Sequence, residues 1–302
     1  MSPTDRRYVI TFGCQDRVGI VARISTFIAE FGGWIVQAAY HTDPDTNWFF
    51  TRQEVLADSL PFGIDELRQR FSGVVTELSG TGSATQRQAG LRTDWKITDS
   101  ARRKRVVILV SRDAHCLYDL LGRVASGELD VEVAAVVGNH ANLATVTRAH
   151  GIDFHHVPFP AGDAEGKQAA FAQLRQLVRA ADADTIVLAK FMQVLPGELC
   201  AEWSGRALNI HHSFLPSFAG ANPYRQAHER GVKLVGATCH YVTAELDAGP
   251  IIEQDVIRVD HRDSVADMVR KGRDAEKVVL ARAVRWHLQD RVLLHGHHTV
   301  IL

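Results

Sequence analysis

From residue 105 onward, short apolar runs alternate with helical stretches, and this alternation constrains the chain more than any other feature of its sequence. Val106–Val110, Val131–Val137, Thr185–Ala189 and Ala207–Ile210 are short runs made mostly of β-branched or apolar residues, as strands covered on both faces tend to be. Cys116–Ala125 and Lys167–Ala181 lie between them with helical spacing. The pattern predicts an α/β domain with a Rossmann-like, doubly wound sheet, in which ligands sit beyond the carboxyl ends of the strands. Two further strands, Val235–Val242 and Ile251–Val256, precede a long helix from about Val265 to Leu288.

The first hundred residues follow another order. Arg7–Phe12 alternates like a strand, and Ile20, Ile24, Phe27, Ile28 and Phe31 then fall on one helical face that ends at Gly32-Gly33. Trp34–His41 and Trp48–Leu56 flank a turn at Asp43–Asn47, and a second helix spans Asp65–Leu78. The polar stretch Ser79–Gly90 reads as an insertion before a last strand at Leu91–Ile97. This βαββαβ order predicts a small ferredoxin-like domain over 1–99. The polar segment Asp99–Lys104 links it to a second domain over 100–302.

Composition narrows the functional classes. With 34 basic against 35 acidic residues and a net charge of −1, the chain has no bulk charge for a nucleic-acid groove or an anionic membrane surface. No apolar run approaches the roughly 18 residues of a membrane span, and no signal peptide opens the chain. Cys14, Cys116, Cys200 and Cys239 lie far apart and read as reduced, packed thiols of a cytoplasmic protein.

The densest polar cluster, Asn209-Ile210-His211-His212-Ser213-Phe214-Leu215-Pro216, lies where the Ala207–Ile210 strand runs out. Alternate side chains on a strand share a face, so Asn209 and His211 point together. An amide beside an imidazole there either polarises a carbonyl or caps a strand end, and the residues by themselves leave both readings open. A second cluster holds His240 and then Glu245-Leu246-Asp247-Ala248-Gly249-Pro250. Asp247 either meets the first pair or stabilises a turn. His240 is either a core histidine or a support for that pair.

Together the two clusters, Asn-x-His-x-Ser-x-Leu-Pro and His-x(6)-Asp-x-Gly-Pro, resemble the folate-dependent formyltransferase family. The likeness is strongest to its deformylase branch, through His211–Pro216, Gly220-Ala221-Asn222-Pro223-Tyr224, Gly272-Arg273-Asp274 and the ending His298–Leu302. In front, Cys14-x-Asp16-Arg17-x-Gly19-Ile20-Val21 resembles an ACT domain, a small regulatory module.

The resemblance implies hydrolysis of 10-formyltetrahydrofolate to formate and tetrahydrofolate, feeding formate to purine biosynthesis and balancing one-carbon folate pools. The folate would be the substrate, with no separate cofactor. Asn209 would donate to the oxyanion, His211 would stabilise charge or deliver a proton, and Asp247 would orient His211 and position or deprotonate the water. His240 would support them. The folate pocket would be formed by Phe191, Met192, Gln193, Val194 and Leu195, with Glu245 and Leu246 opposite. Asp16, Arg17, Val18 and Gly19 would bind an amino-acid effector, glycine or methionine, or else the module only dimerises. A homo-oligomer, with a tetramer as the specific expectation, follows from the same likeness.

Two alternatives stay open: formyl transfer to an amine such as glycinamide ribonucleotide, and a non-catalytic folate and amino-acid sensor. Transfer to that ribonucleotide implies a glycine-rich phosphate loop after the first strand. Here Ser111-Arg112-Asp113-Ala114-His115-Cys116 has no glycine and adds a carboxylate. No metal is expected. The neighbours in His155-His156 and His211-His212 should point to opposite strand faces, and no cysteine or carboxylate completes a ligand set.

Overall fold

A computed structural model of the chain describes residues 6–79, 92–217 and 223–302. The chain divides into two compact units, Met1–Arg102 with Gln289–Leu302, and Arg103–Leu288.

The first unit has the predicted βαββαβ order: β1 (Arg7–Gln15), α1 (Ile20–Glu30), β2 (Ile35–Asp43), β3 (Trp48–Leu56), α2 (Ile64–Leu78) and β4 (Asp94–Asp99). The sheet is antiparallel in the order β2-β3-β1-β4. Ile20, Ile24, Phe27 and Ile28 of α1 and Leu67, Phe71 and Val74 of α2 close on Ile10 and Phe12 of β1 to form its core. The last strand runs further than the apolar pattern indicates, with Asp99 opposite Tyr8, because Arg6 reaches across to the Asp99 carboxylate and extends the ladder. Leu91 and residues 80–90 of the expected insertion lie outside the described residues.

The boundary expected at 100–302 needs correction at its far end. After the long helix, β12 (Val292–His295) and β13 (His298–Ile301) form a hairpin that belongs to the first unit. Leu293 covers Trp48 and Phe50 of β3, and His295 Nε2 lies 3.0 Å from the Asp43 carboxylate. Asp290 accepts from Lys96 Nζ at 2.9 Å and from the Thr98 hydroxyl at 2.6 Å. Two aromatic side chains of β3 need an apolar cover, and the hairpin supplies it.

The second unit contains β5 (Lys104–Val110), α3 (His115–Ala125), β6 (Val131–Gly138), α4 (Ala144–Ala149), β7 (Phe154–His156), α5 (Ala164–Ala180), β8 (Thr185–Ala189), α6 (Gly197–Glu202), β9 (Ala207–His211), α7 (Pro223–Glu229), β10 (Leu234–Tyr241), β11 (Ile251–Arg258) and α8 (Val265–Leu288). Its strand order is β11-β10-β9-β8-β5-β6-β7. The strands from β7 to β9 are parallel, and β10 runs antiparallel to both β9 and β11. β7 is only three residues long, too short for a periodic signal. Val107, Leu109 and Val137 pack on Leu174 and Val178 of α5 on one face. The chain moves outward from β5 to β7 and then returns to lay β8 on the other side of β5. A crevice forms at such a reversal, beyond the carboxyl ends of β5, β8 and β9.

Candidate active site

The carboxyl end of β9 presents Asn209 and His211 on one face, while Ile210 is buried at 3 % exposure. In the antiparallel register of β9 and β10, His240 stands directly opposite Asn209, and Thr238 opposite His211. Cross-strand partners have side chains within contact distance. The Asn209 amide nitrogen accordingly lies 3.2 Å from His240 Nε2, and His240 Nδ1 is 2.9 Å from the Tyr241 carbonyl oxygen. A carbonyl only accepts, so His240 carries its proton on Nδ1 and accepts at Nε2 from Asn209. The Asn209 amide then retains one further N–H.

Asp247 comes from the loop after β10, where its own φ is 55°. Gly249 makes this return possible: a Cβ there would lie 1.7 Å from the Tyr241 carbonyl oxygen. The loop thus folds tightly against β10, and Tyr241 N–H donates to the Pro250 carbonyl at 2.9 Å. Asp247 Oδ1 lies 3.2 Å from His211 Nδ1 and 3.8 Å from His240 Nε2. The hydrogen bond from His211, followed by the nearby His240 ring, holds the Asp247 carboxyl well below the usual carboxylate range. With Nδ1 donating to Asp247, His211 Nε2 is the free atom. It is buried and has no hydrogen-bond partner among the described residues.

These side chains form one wall of a cavity of about 440 Å³, a volume typical of small-molecule sites. Phe191, Met192, Gln193, Val194 and Leu195 line it after β8, and Glu245 and Leu246 line it from the Asp247 loop. Phe191 and Leu195 are also core residues, whereas Met192, Val194 and Leu246 are 59 %, 67 % and 62 % exposed. Apolar side chains this open around a cavity suit a flat ring system. The Met192 N–H donates to Ser111 Oγ at 2.9 Å and anchors the loop.

The expectation that His211 and His212 face opposite ways is not met. The strand ends at His211 and the chain bends at His212, so the two ring centroids lie 5.2 Å apart and both rings line the cavity. The bend is held by Thr238, which accepts from the Leu215 N–H at 3.0 Å and donates to the Ser213 carbonyl at 2.9 Å.

A formyl transferase family profile matches residues 104–284, which is most of the second unit. A protein of Corynebacterium sp. (strain P-1) named formyltetrahydrofolate deformylase is 42 % identical over 98 % of this chain and 98 % of its own length. The chain belongs to the formyltetrahydrofolate deformylase family. A crystal structure of a formyltetrahydrofolate deformylase from Pseudomonas syringae pv. tomato is 52 % identical, with a TM-score of 0.92 over 98 % of this chain and 94 % of that one. A glycinamide ribonucleotide transformylase from Symbiobacterium toebii is 32 % identical with a TM-score of 0.63, and covers 68 % of this chain and 98 % of that one. Full-length agreement is thus with deformylases, and the transformylase matches a smaller part.

Sequence reasoning missed a buried charged group behind this deformylase-family site. Glu276 of α8 is 1 % exposed; its carboxylate lies 2.7 Å from His115 Nε2, 2.8 Å from the Tyr224 hydroxyl and 3.3 Å from Lys190 Nζ. Burial by itself would raise the carboxyl, but the His115 hydrogen bond and the Lys190 charge outweigh it and bring it down to about 2. The signal was present: Glu276 falls among Met268, Gly272, Val279, Leu280 and Ala283 on the buried stripe of α8, where a carboxylate is out of place unless paired. Lys190 itself has φ 64°, an uncommon backbone state for a residue with a side chain.

His115, Cys116 and Glu276 offer ligand atoms within 4.8 Å of one another. The Lys190 ammonium beside Glu276 opposes a cation there, and burial pushes the Cys116 thiol well up, so the group is better suited to an ion pair than to a metal. All four cysteines are buried and free. Burial raises Cys14 to about 12, and none is poised as a thiolate. Asp113 in the loop after β5 pairs with Arg273 at 3.1 Å, which sets a carboxylate where a phosphate cradle would need open N–H groups. Of the sequence motif Gly220–Tyr224, residues 220–222 lie outside the described residues.

In the first unit the expected effector loop precedes α1. Asp16 accepts from the Thr42 hydroxyl at 2.8 Å, Arg17 donates to the Glu77 carbonyl at 2.6 Å, Val18 is fully exposed, and Gly19 has φ 95° before the helix.

Proposed function

We infer that the chain hydrolyses 10-formyltetrahydrofolate to formate and tetrahydrofolate. The observation that carries this reading is the junction of Asn209, His211 and Asp247 on the wall of one apolar-rimmed cavity, in a chain that matches deformylases over nearly its full length. The folate ring system occupies the cavity between the Phe191–Leu195 and Glu245–Asp247 segments, with the N10 formyl group at the β9 end. As water adds to the formyl carbon, the remaining Asn209 N–H stabilises the developing oxyanion, and His211 joins it when the ring carries a second proton, donating from Nε2 while Nδ1 stays on Asp247. Asp247 accepts from His211 Nδ1 and so fixes the ring orientation that turns Nε2 to the substrate and supports a second proton on the ring. Its lowered basicity makes it a poor acceptor of a water proton. His240 holds the Asn209 amide in place. The folate is substrate, and the chain's own side chains supply this chemistry.

The first unit is an ACT module that pairs with a second copy, giving a homo-oligomer taken here as a tetramer, and its Asp16–Gly19 loop offers a site to glycine or methionine. The enzyme works in the cytoplasm, supplying formate for purine biosynthesis. None of the described helices is long and apolar enough to cross a membrane.

The test is formate release from 10-formyltetrahydrofolate by the purified chain, with and without glycinamide ribonucleotide, and an Asn209→Ala/Asp247→Ala double variant as blank. Acceptor-independent formate that the double variant fails to release supports hydrolysis. Formyl transfer only when the ribonucleotide is present overturns it.

A further inference from the structure

Hydrolysis needs a group that takes a proton from water, and the residues assigned above do not provide one. Asp247 is committed to His211, and His240 to Asn209 and the Tyr241 carbonyl. His211 Nε2 is turned to the formyl oxygen. One imidazole in the cavity remains.

His212 is placed for this task by three independent features. It is the one residue that lines both the folate cavity and a second cavity of about 570 Å³ on its far side. Its ring contacts are with His211 at 5.2 Å and Tyr224 at 6.1 Å, and among the described residues no hydrogen bond engages its nitrogens. Behind it stands a built support. The Tyr224 ring lies so close to α8 that a Cβ at position 272 would meet the Tyr224 hydroxyl at 1.9 Å, so Gly272 is the seat that lets Tyr224 reach Glu276. Glycine inside a helix is unfavourable relative to alanine, and this seat offsets that cost. The Tyr224 and Gly272 motifs, unexplained by the chemistry of Asn209 and His211, are accounted for together.

We propose that His212 is a further catalytic residue of the hydrolysis, holding the attacking water and accepting its proton, and that Tyr224, Glu276 and Lys190 are positioning residues for it. This rests on the deformylase reading. The water O–H bond breaks as the O–C bond forms, its proton passes to a ring nitrogen of His212, and the carbonyl pair moves onto the oxygen facing Asn209 and His211. The His212 proton is then delivered to N10, the C–N10 bond breaks with its pair going to nitrogen, and formic acid leaves and ionises. One water is consumed and the imidazole is regenerated. Burial and the Lys190 charge pull His212 down to about 4, so the ring is neutral before attack and readily passes on to N10 the proton it takes.

The test compares two nucleophiles on one substrate. Hydroxylamine attacks a formyl group with little need of a base, giving a hydroxamate that is measured by its ferric complex, while hydrolysis is read as formate. His212→Asn should lower hydrolysis by about 10²-fold while hydroxamate formation and tetrahydrofolate binding stay within about threefold of the wild type. His212→Gln, whose amide can hold a water but take no proton, should stay similarly low in hydrolysis and provides the same comparison if the asparagine variant does not fold. Either folded variant hydrolysing at the wild-type rate, or losing both reactions in the same proportion, overturns the proposal. Wild-type protein that forms hydroxamate but no formate overturns the deformylase reading itself, which is a separate result.

Discussion

Asn209 and His240 face one another across the β9–β10 pair, amide nitrogen to Nε2 at 3.2 Å, and the Tyr241 carbonyl fixes which nitrogen of the histidine carries its proton. The orientation of the proposed oxyanion donor, Asn209, is therefore set by an antiparallel register and one backbone carbonyl. On the proposed mechanism, removing that amide removes a hydrogen bond made to charge that develops in the transition state. Asn209→Ala is expected to lower kcat by about 10²–10³-fold with little change in KM. His240→Phe keeps the ring volume but frees the amide, and a smaller loss, about tenfold, is expected. Steady-state formate release by both variants checks the order; His240→Phe falling below Asn209→Ala would mean that His240 acts on the substrate directly.

Acid should destabilise the catalytic unit in two stages. His212 has a folded value of about 4 against an ordinary 6.5, so between these limits the unfolded chain binds more protons and stability falls as pH falls. The groups facing it are Lys190, Glu276, His211 and Asp247. Glu276, about 2 against 4.5, and Asp247, held below 3.8, contribute stability above those ordinary values and lose it as pH drops further. Thermal unfolding of the second unit's transition should thus weaken from about pH 6.5 downward, and His212→Asn should flatten the 6.5-to-4 part alone. An unchanged slope in that variant would assign the effect to other groups.

Glu276→Ala strips the Lys190 ammonium of its carboxylate in a site where both are nearly inaccessible, at 6 % and 1 % side-chain exposure. Breaking a buried pair from one side costs about 3–5 kcal/mol. Denaturant unfolding should register that loss, and a Glu276→Ala/Lys190→Met double variant should regain a large part of it. A double variant no better than the single one would show that His115 and Tyr224, not the ion pair, hold Glu276 in place.

Two helical glycines give opposite expectations. At Gly272 an added methyl collides with the Tyr224 hydroxyl, and overpacking of that kind costs about 1–3 kcal/mol. At Gly73 of α2 nothing lies within 4 Å of the built Cβ, so alanine should stabilise by about 0.5–1 kcal/mol through helix propensity. Measured side by side, the pair separates a glycine that seats a side chain from one with open space around it.

Much of this architecture was legible because it is written in local periodicity. β5, β6, β8 and β9 are mostly apolar runs, the α1 and α2 stripes repeat every three or four residues, and Asn209 and His211 share a face by simple alternation. The bend at His212 was not, since it depends on Thr238 of another strand clamping Ser213 and Leu215. The Glu276 group was also hidden: its members come from α3, the residue after β8, α7 and α8, and no spacing along the chain joins them. β7 was too short to show a period. The C-terminal hairpin was misassigned because sequence order put it after the catalytic helix, whereas its apolar face answers to Trp48 and Phe50, some 240 residues earlier.

That last assignment carries its own prediction. The hairpin covers Trp48 and Phe50 through Leu293, and anchors through His295 to Asp43 and Asp290 to Thr98. Ending the chain at Leu288 leaves α8, and so the second unit's packing, complete, but bares two aromatic side chains that are now 4 % and 1 % exposed. Burial of such rings contributes about 1.5–3 kcal/mol each, so the truncated chain should lose stability chiefly in the first unit. Proteolysis should then cut within the first hundred residues sooner than within Arg103–Leu288. Faster cutting confined to the second unit would place the hairpin's stabilising role there instead.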